Sequence, residues 1–225
     1  MASILQALQM ITANGGFICG GSLITKRLVL TAAHCVVGGN PPTAVLVGLY
    51  NWNTDKSNQY QQIGIKRILR HPSYKGSTLA YDIAVLRLAS RAKAKPLALA
   101  PAGKRLSAGI SLLVAGWGET EAVPVSPQLK AAWLPLQPTG VCARRMWMPP
   151  TAICLGNGAL KRAGCSGDSG SPIILYTPGK PDLQVGLYSF MPADYKCGGT
   201  GNLGAATSTI KLRRWLNSAI KQLGA

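Results

Sequence analysis

Short apolar runs rich in Val, Ile and Leu, each bounded by Gly, Pro or Asn, recur along the chain and constrain its fold more than any other feature. Runs of roughly four to eight such residues have the length and composition of strands, because β-branched side chains pack well on a pleated surface and lose freedom in a helix. The pattern predicts strands over residues 17–24, 28–31, 44–47, 63–69, 83–88, 111–115, 173–176 and 184–189. Residues 1–10 are mildly apolar but lack a positive n-region and are interrupted by glutamines, so they read as a further strand rather than a secretory signal.

The composition changes over residues 98–109, where Pro101, Gly103 and Lys104-Arg105 mark a linker between two similar halves. Residues 1–104 and 105–225 are accordingly expected to form two small barrels. After Thr207 the period switches: Leu212, Trp215, Leu216, Ala219, Ile220 and Leu223 recur at three- and four-residue steps. This predicts an amphipathic helix over about 208–223 that packs on the last barrel. The fold class is all-β with one C-terminal helix.

Apolar residues make up 47% of the sequence and charged ones 14%, the balance of a globular chain. No stretch approaches the roughly 18–20 uninterrupted apolar residues of a membrane span. Lys and Arg number 24 against 7 Asp and Glu, a formal charge of +17 that attracts anionic polymers at low salt. The ordinary reading is a generally basic, solvated surface, with an anionic polysaccharide as a candidate partner. The cations occur in short clusters such as Lys161-Arg162, Arg144-Arg145 and Arg213-Arg214, with no nucleic-acid motif to organise them, so a specific nucleic-acid partner is not expected.

Cys19, Cys35, Cys142, Cys154, Cys165 and Cys197 form an even set without the close CxxC spacing of zinc or redox sites. They read as disulfides in an oxidising, extracytoplasmic setting, secreted or in a secretory granule, with neither metal nor cofactor; their pairing is open at this level.

Three segments carry chemistry. In Leu30-Thr31-Ala32-Ala33-His34-Cys35, the histidine follows small residues and adjoins a cysteine, a setting that fixes the backbone and can leave the ring at a barrel edge. The other histidine, His71, sits in the polar turn Arg70-His71-Pro72-Ser73-Tyr74 and is expected at the surface. In Tyr81-Asp82-Ile83-Ala84-Val85-Leu86, an aspartate opens a buried strand and needs donors, either as a turn or cap residue or as the partner of an imidazole N–H. In Cys165-Ser166-Gly167-Asp168-Ser169-Gly170-Ser171-Pro172, glycines flank a serine. Such a turn is commonly just a loop; it can also expose a hydroxyl and aim the N–H groups of Gly167 and Ser169 at one oxyanion.

In the order His34, Asp82, Ser169 these segments resemble the chymotrypsin-like serine peptidases over nearly the whole chain, a family whose mechanism is a standard template. Cys19-Gly20-Gly21-Ser22-Leu23-Ile24 and Ala115-Gly116-Trp117-Gly118 add to the match. The resemblance implies two six-stranded antiparallel barrels with the site between them and a Ser169–His34–Asp82 triad in a monomeric serine endopeptidase. It also implies the bridges Cys19–Cys35, Cys142–Cys154 and Cys165–Cys197, with Leu112 and Leu175 replacing a further one. Polypeptide substrates and protein protease inhibitors are the implied partners. A specificity pocket is implied with Ala163 at its floor, Gly164 beside it, and walls from Ser189-Phe190-Met191 and Gly204. Lacking an acidic floor, that pocket favours small-to-medium apolar side chains at the cleavage position.

Two features depart from the pattern. The family's Ile-Val-Gly-Gly-like start, whose freed amino group pairs with the aspartate before the serine, is not matched, so Asp168 is expected to turn outward or be protonated and the chain as written to behave like a zymogen. Ser171 also stands where relatives usually carry glycine. A non-catalytic homologue and a basic, polyanion-binding defence protein are the alternative readings, although a pure binder has no chemical need for His34, Asp82 and Ser169 together.

Overall fold

The computed structural model describes residues 7–157 and 163–224. Residues 1–6 of the expected N-terminal strand and the Lys161-Arg162 cluster lie outside these.

Strands β1 (Ala7–Ile11), β2 (Phe17–Thr25), β3 (Leu28–Thr31), β4 (Ala44–Val47), β5 (Gln61–Arg70) and β6 (Ala84–Leu88) close an antiparallel barrel in the order β1-β2-β3-β6-β5-β4. Its interior holds Leu8, Met10, Leu23, Leu30, Val45, Ile63 and Leu86, all nearly inaccessible to solvent. Closure leaves no free edge to pair with another chain.

The second barrel is built from β8 (Ser111–Gly116), β9 (Lys130–Gln137), β10 (Ala152–Gly156), β11 (Pro172–Leu175), β12 (Leu183–Phe190) and β13 (Leu203–Ser208), and the β11–β12 pairing closes it. Leu112 and Leu175 are both buried in its core, an apolar pair in the expected place. The linker is not structureless: β7 (Ala98–Leu99) adds to β12 in parallel.

Among the described residues, two α-helices complete the fold. The five-residue α1 (Thr139–Ala143), which the strand pattern does not foresee, follows Pro138 and buries Cys142. Helix α2 (Arg213–Leu223) starts later than its apolar spacing suggests. Ser208 still pairs with Gly186 as the last residue of β13, and the chain must turn before the helix begins. Leu212, Leu216, Ala219 and Leu223 then pack with the first barrel's core, not the last barrel's alone.

His71 is buried, in contrast to its expected surface position. Its ring lies 4.6 Å from that of Tyr81 and 4.8 Å from that of Trp215, joining the end of β5 to α2. Its Nδ1 accepts the Ser73 N–H, and burial lowers its pKa.

Candidate active site

The three candidate residues arise from different elements. Ala33 and His34 follow β3, whose end turns into a short 3-10 turn, His34–Val36, fixed by the Cys19–Cys35 disulfide. That bridge occupies both cysteines near His34, so they are not free to ligate a metal. Asp82 comes just before β6 and follows Leu79 and Tyr81, both non-glycine residues at positive φ of 51° and 56°. Such conformations persist only where surrounding contacts fix them.

Asp82 is fully buried and fully served. One carboxylate oxygen accepts the backbone N–H of His34 at 2.8 Å; the other accepts His34 Nδ1–H at 2.7 Å and Ser189 Oγ–H at 2.5 Å. A buried carboxylate is tolerable only with such donors. The last arises from a bulge: Tyr188 pairs with Ala206 and Phe190 with Ala205, which leaves Ser189 unpaired and aimed at Asp82.

Ser169 projects from a turn held on both sides. Gly170 N–H donates to Tyr188 O, Tyr188 N–H to Ser171 O, and Gly20 N–H to Ser169 O, which ties the turn to the first barrel. Gly170 is required: its φ is +80°, and a Cβ there would lie 2.3 Å from Gly20 O and from Thr31 Oγ1. Gly167 has a φ of +88°, and among the described residues neither its N–H nor that of Ser169 meets an acceptor. Ser169 Oγ donates to Ser189 O at 3.4 Å and makes no hydrogen bond to His34. Ser171 Oγ is buried without a partner, close to Gly20 and Gly116.

Of the two expected outcomes for Asp168, an outward turn or a protonated carboxyl, the outward turn is not taken: the side chain faces inward. Its two oxygens accept N–H bonds from Gly118 and Cys165, each at 2.9 Å, because the turn after Cys165 folds it back beneath the chain. Burial pushes its carboxyl up to about 6, and the two N–H donors only partly offset this. It borders a cavity of about 460 Å³ that Glu119, Glu121, Ala163 and Gly164 also line.

The expected pocket residues separate into distinct roles. Ala163 and Gly164 line the Asp168 cavity. Gly164 and Gly204 enclose Tyr188: a Cβ added at Gly164 would lie 2.6 Å from its ring, and one at Gly204 2.6 Å from its hydroxyl and 2.8 Å from its ring. Tyr188 is wholly buried, and its hydroxyl, like that of Tyr195, donates to Gly164 O, at 2.8 and 2.7 Å respectively. Burial raises both phenol pKa values. Phe190 and Met191 are half-buried at the end of β12, while the Ser189 side chain serves Asp82 rather than a pocket wall. The remaining expected bridges, Cys142–Cys154 and Cys165–Cys197, are formed.

The sequence profile described as Trypsin matches residues 5–216. The chain belongs to the trypsin family. Human serine protease 56 is 31% identical over 211 residues, which cover 90% of this chain and 34% of that protein. Mouse cathepsin G is 35% identical over 162 residues, 69% of this chain and 60% of that protein. Phenoloxidase-activating factor 3 of Holotrichia diomphalia is 33% identical over 240 residues, 95% of this chain and 68% of that protein. The chain thus spans only part of the first two relatives' length. Tyr188 is not among the residues that the sequence of this trypsin-family chain singles out; its one signal there is a large polar aromatic in a strand directly before Ser189.

Proposed function

We propose that the chain is a serine endopeptidase in which Ser169 is the nucleophile, His34 the general base and Asp82 the group that orients His34. The observation that supports this most is the hydrogen bonding around Asp82: a fully buried carboxylate binds His34 twice and Ser189 once, and the Ser189 carbonyl holds Ser169 Oγ. With Nδ1–H committed to Asp82, His34 Nε2 is the basic nitrogen. Rotation about χ1 of Ser169 moves its hydroxyl from Ser189 O toward Nε2.

Attack then forms the Oγ–carbon bond while the Ser169 proton passes to Nε2, and Asp82 stabilises the imidazolium. The oxyanion is received by the Gly167 and Ser169 N–H groups, whose lack of internal acceptors suits that task. Collapse breaks the carbon–nitrogen bond, and the proton on Nε2 goes to the departing amine. Water, deprotonated by His34, cleaves the acyl-enzyme and restores Ser169.

For specificity we propose a shallow apolar pocket. Tyr188 takes up the space between Gly164 and Gly204, and no carboxylate occurs among Ala163, Gly164, Ser189, Phe190, Met191 and Gly204 to pair with a cationic side chain. Small-to-medium apolar residues before the cleaved bond fit best. Asp168, in a cavity it shares with Glu119 and Glu121, suits the receipt of an activating amino group that raises turnover further. The Gly167 and Ser169 N–H groups, which meet no acceptor among the described residues, give the chain as it stands a basal reactivity at Ser169. Three disulfides favour an extracytoplasmic setting.

Peptides that differ only in the residue before the cleaved bond test the reading. Alanine and valine substrates should give higher kcat/KM than arginine, and Ser169→Ala should abolish turnover. Tyr188→Ala should favour leucine and phenylalanine over alanine by roughly tenfold, about one to two buried methylenes' worth of binding. Preference for arginine, or turnover that survives Ser169→Ala, contradicts the proposal.

A further inference from the structure

We infer that the outer face formed by β5, β6 and α2 is a binding surface for a linear sulfated polysaccharide, a role that does not depend on catalysis. The face is marked by a charge arrangement that costs the fold energy. Arg67 of β5 lies directly opposite Arg87 of β6, and like charges so placed repel. Lys66, the residue that the β5 bulge leaves unpaired, is exposed beside Arg67. Leu28 of β3 pairs with Arg87 on its other side, which brings Arg27 to the same end of the sheet.

Helix α2 extends the cationic surface. Arg87 Nη1 donates to Gly224 O at 3.1 Å, which holds the helix C-terminus, with Lys221 in its last turn, against β6. At the other end Trp215 contacts His71, the residue after Arg70. The helix therefore lies alongside the strands from Arg70 to Arg87.

No Asp or Glu lies on β5, β6 or α2 to offset this charge. From Lys56 to Gly118 the sole Asp or Glu is Asp82, which is buried and held by His34, and no Asp or Glu follows Asp194. Among the described residues the ion pairs are His34–Asp82 and Arg145–Asp194, so Lys66, Arg67 and Lys221 have no carboxylate partner. Neighbouring strands run about 4.8 Å apart, so the cations form a dense array that an anion-rich polymer can neutralise.

The shape and setting favour a polysaccharide over a nucleic acid. The face is the outside of a closed barrel with a helix laid along it, and no element projects to enter a groove. Its exposed apolar residue is Ile68, which offers no ring for a base to stack on, while Tyr74 lies half-buried with Arg70 5.9 Å from its ring centre. Three disulfides point to an oxidising compartment.

Affinity for a heparin hexasaccharide, measured at several salt concentrations, tests the assignment. Lys66→Gln/Arg67→Gln should weaken binding by roughly tenfold or more and reduce the slope of log Kd against log salt by about two, as two released counterions require. Lys104→Gln/Arg105→Gln removes the same charge from exposed residues in the linker and should change affinity less than about twofold. Lys66→Arg/Arg67→Lys should retain binding. The double Gln variant should melt no lower than wild type, because it relieves the Arg67–Arg87 repulsion; if it fails to fold, Lys66→Gln/Arg70→Gln replaces it. Equal losses in the β5 and linker variants would reduce the effect to bulk charge and overturn the inference. Duplex DNA or phosphatidylserine vesicles that bind wild type as tightly as heparin, with the same losses, would overturn the polysaccharide assignment.

Discussion

Around the Ser169 turn, Asp168 and Ser171 both bury polar atoms in surroundings that serve them incompletely. Ser171 Oγ has no partner, and Asp168 has two N–H donors but a carboxyl displaced from 3.8 to about 6 by burial. Between those values the folded protein holds a proton that the unfolded chain releases. Stability therefore falls as pH rises from about 4 to beyond 6, by about 2 kcal/mol if Asp168 acts alone. Asp168→Asn should remove that slope, as read from denaturant unfolding at pH 4.5 and pH 7; an unchanged slope contradicts the assignment. At this scale the His34–Asp82 contact, which we propose forms a triad with Ser169, is legible because each residue stands in a short segment whose chemistry constrains it. The service of Ser189 to Asp82 was not legible, since a bulge decides it and a bulge leaves no reliable trace in a period-two pattern.

At the level of elements, period and punctuation locate β1 to β6, β8, β11 and β12, because each needs one inward face, but they do not pick out β7, β9, β10 or β13. Helix α2 begins later than its apolar spacing implies because that spacing starts before helical backbone does, while β13 still holds Ser208. Likewise the polarity of Arg70-His71-Pro72-Ser73 hid the burial of His71, whose partners come from Tyr81 and from Trp215, far along the chain. That contact gives a prediction of opposite sign to the one for Asp168. Burial depresses the His71 pKa below its ordinary 6.5, so the neutral ring stabilises the fold above that value. Its contribution is lost as pH falls through 6.5 and the unfolded chain takes up the proton first. His71→Phe should keep the ring contacts while reducing the fall in Tm between pH 7.5 and pH 5.5. A Tm that drops as steeply in the variant would place the titration elsewhere.

Across the whole molecule, the site depends on docking of the two barrels. The first supplies His34 and Asp82, the second Ser169 and Ser189, and hydrogen bonds such as Gly20 N–H to Ser169 O and Ser22 Oγ–H to Gln184 Oε1 cross between them. Both barrels were legible in outline from the linker composition and the ordered motifs, whereas the filling of the space near Ser169 by Tyr188 was not, because it depends on which residues oppose one another across β12 and β13. The central claim is that this junction activates Ser169. A fluorophosphonate probe reacts with a serine only where a base and an oxyanion site act on it together. The wild-type chain should become covalently labelled at Ser169, with Ser169→Ala unlabelled and His34→Ala nearly so. Absence of label on correctly folded wild type, or equal labelling of Ser169→Ala, would contradict the account.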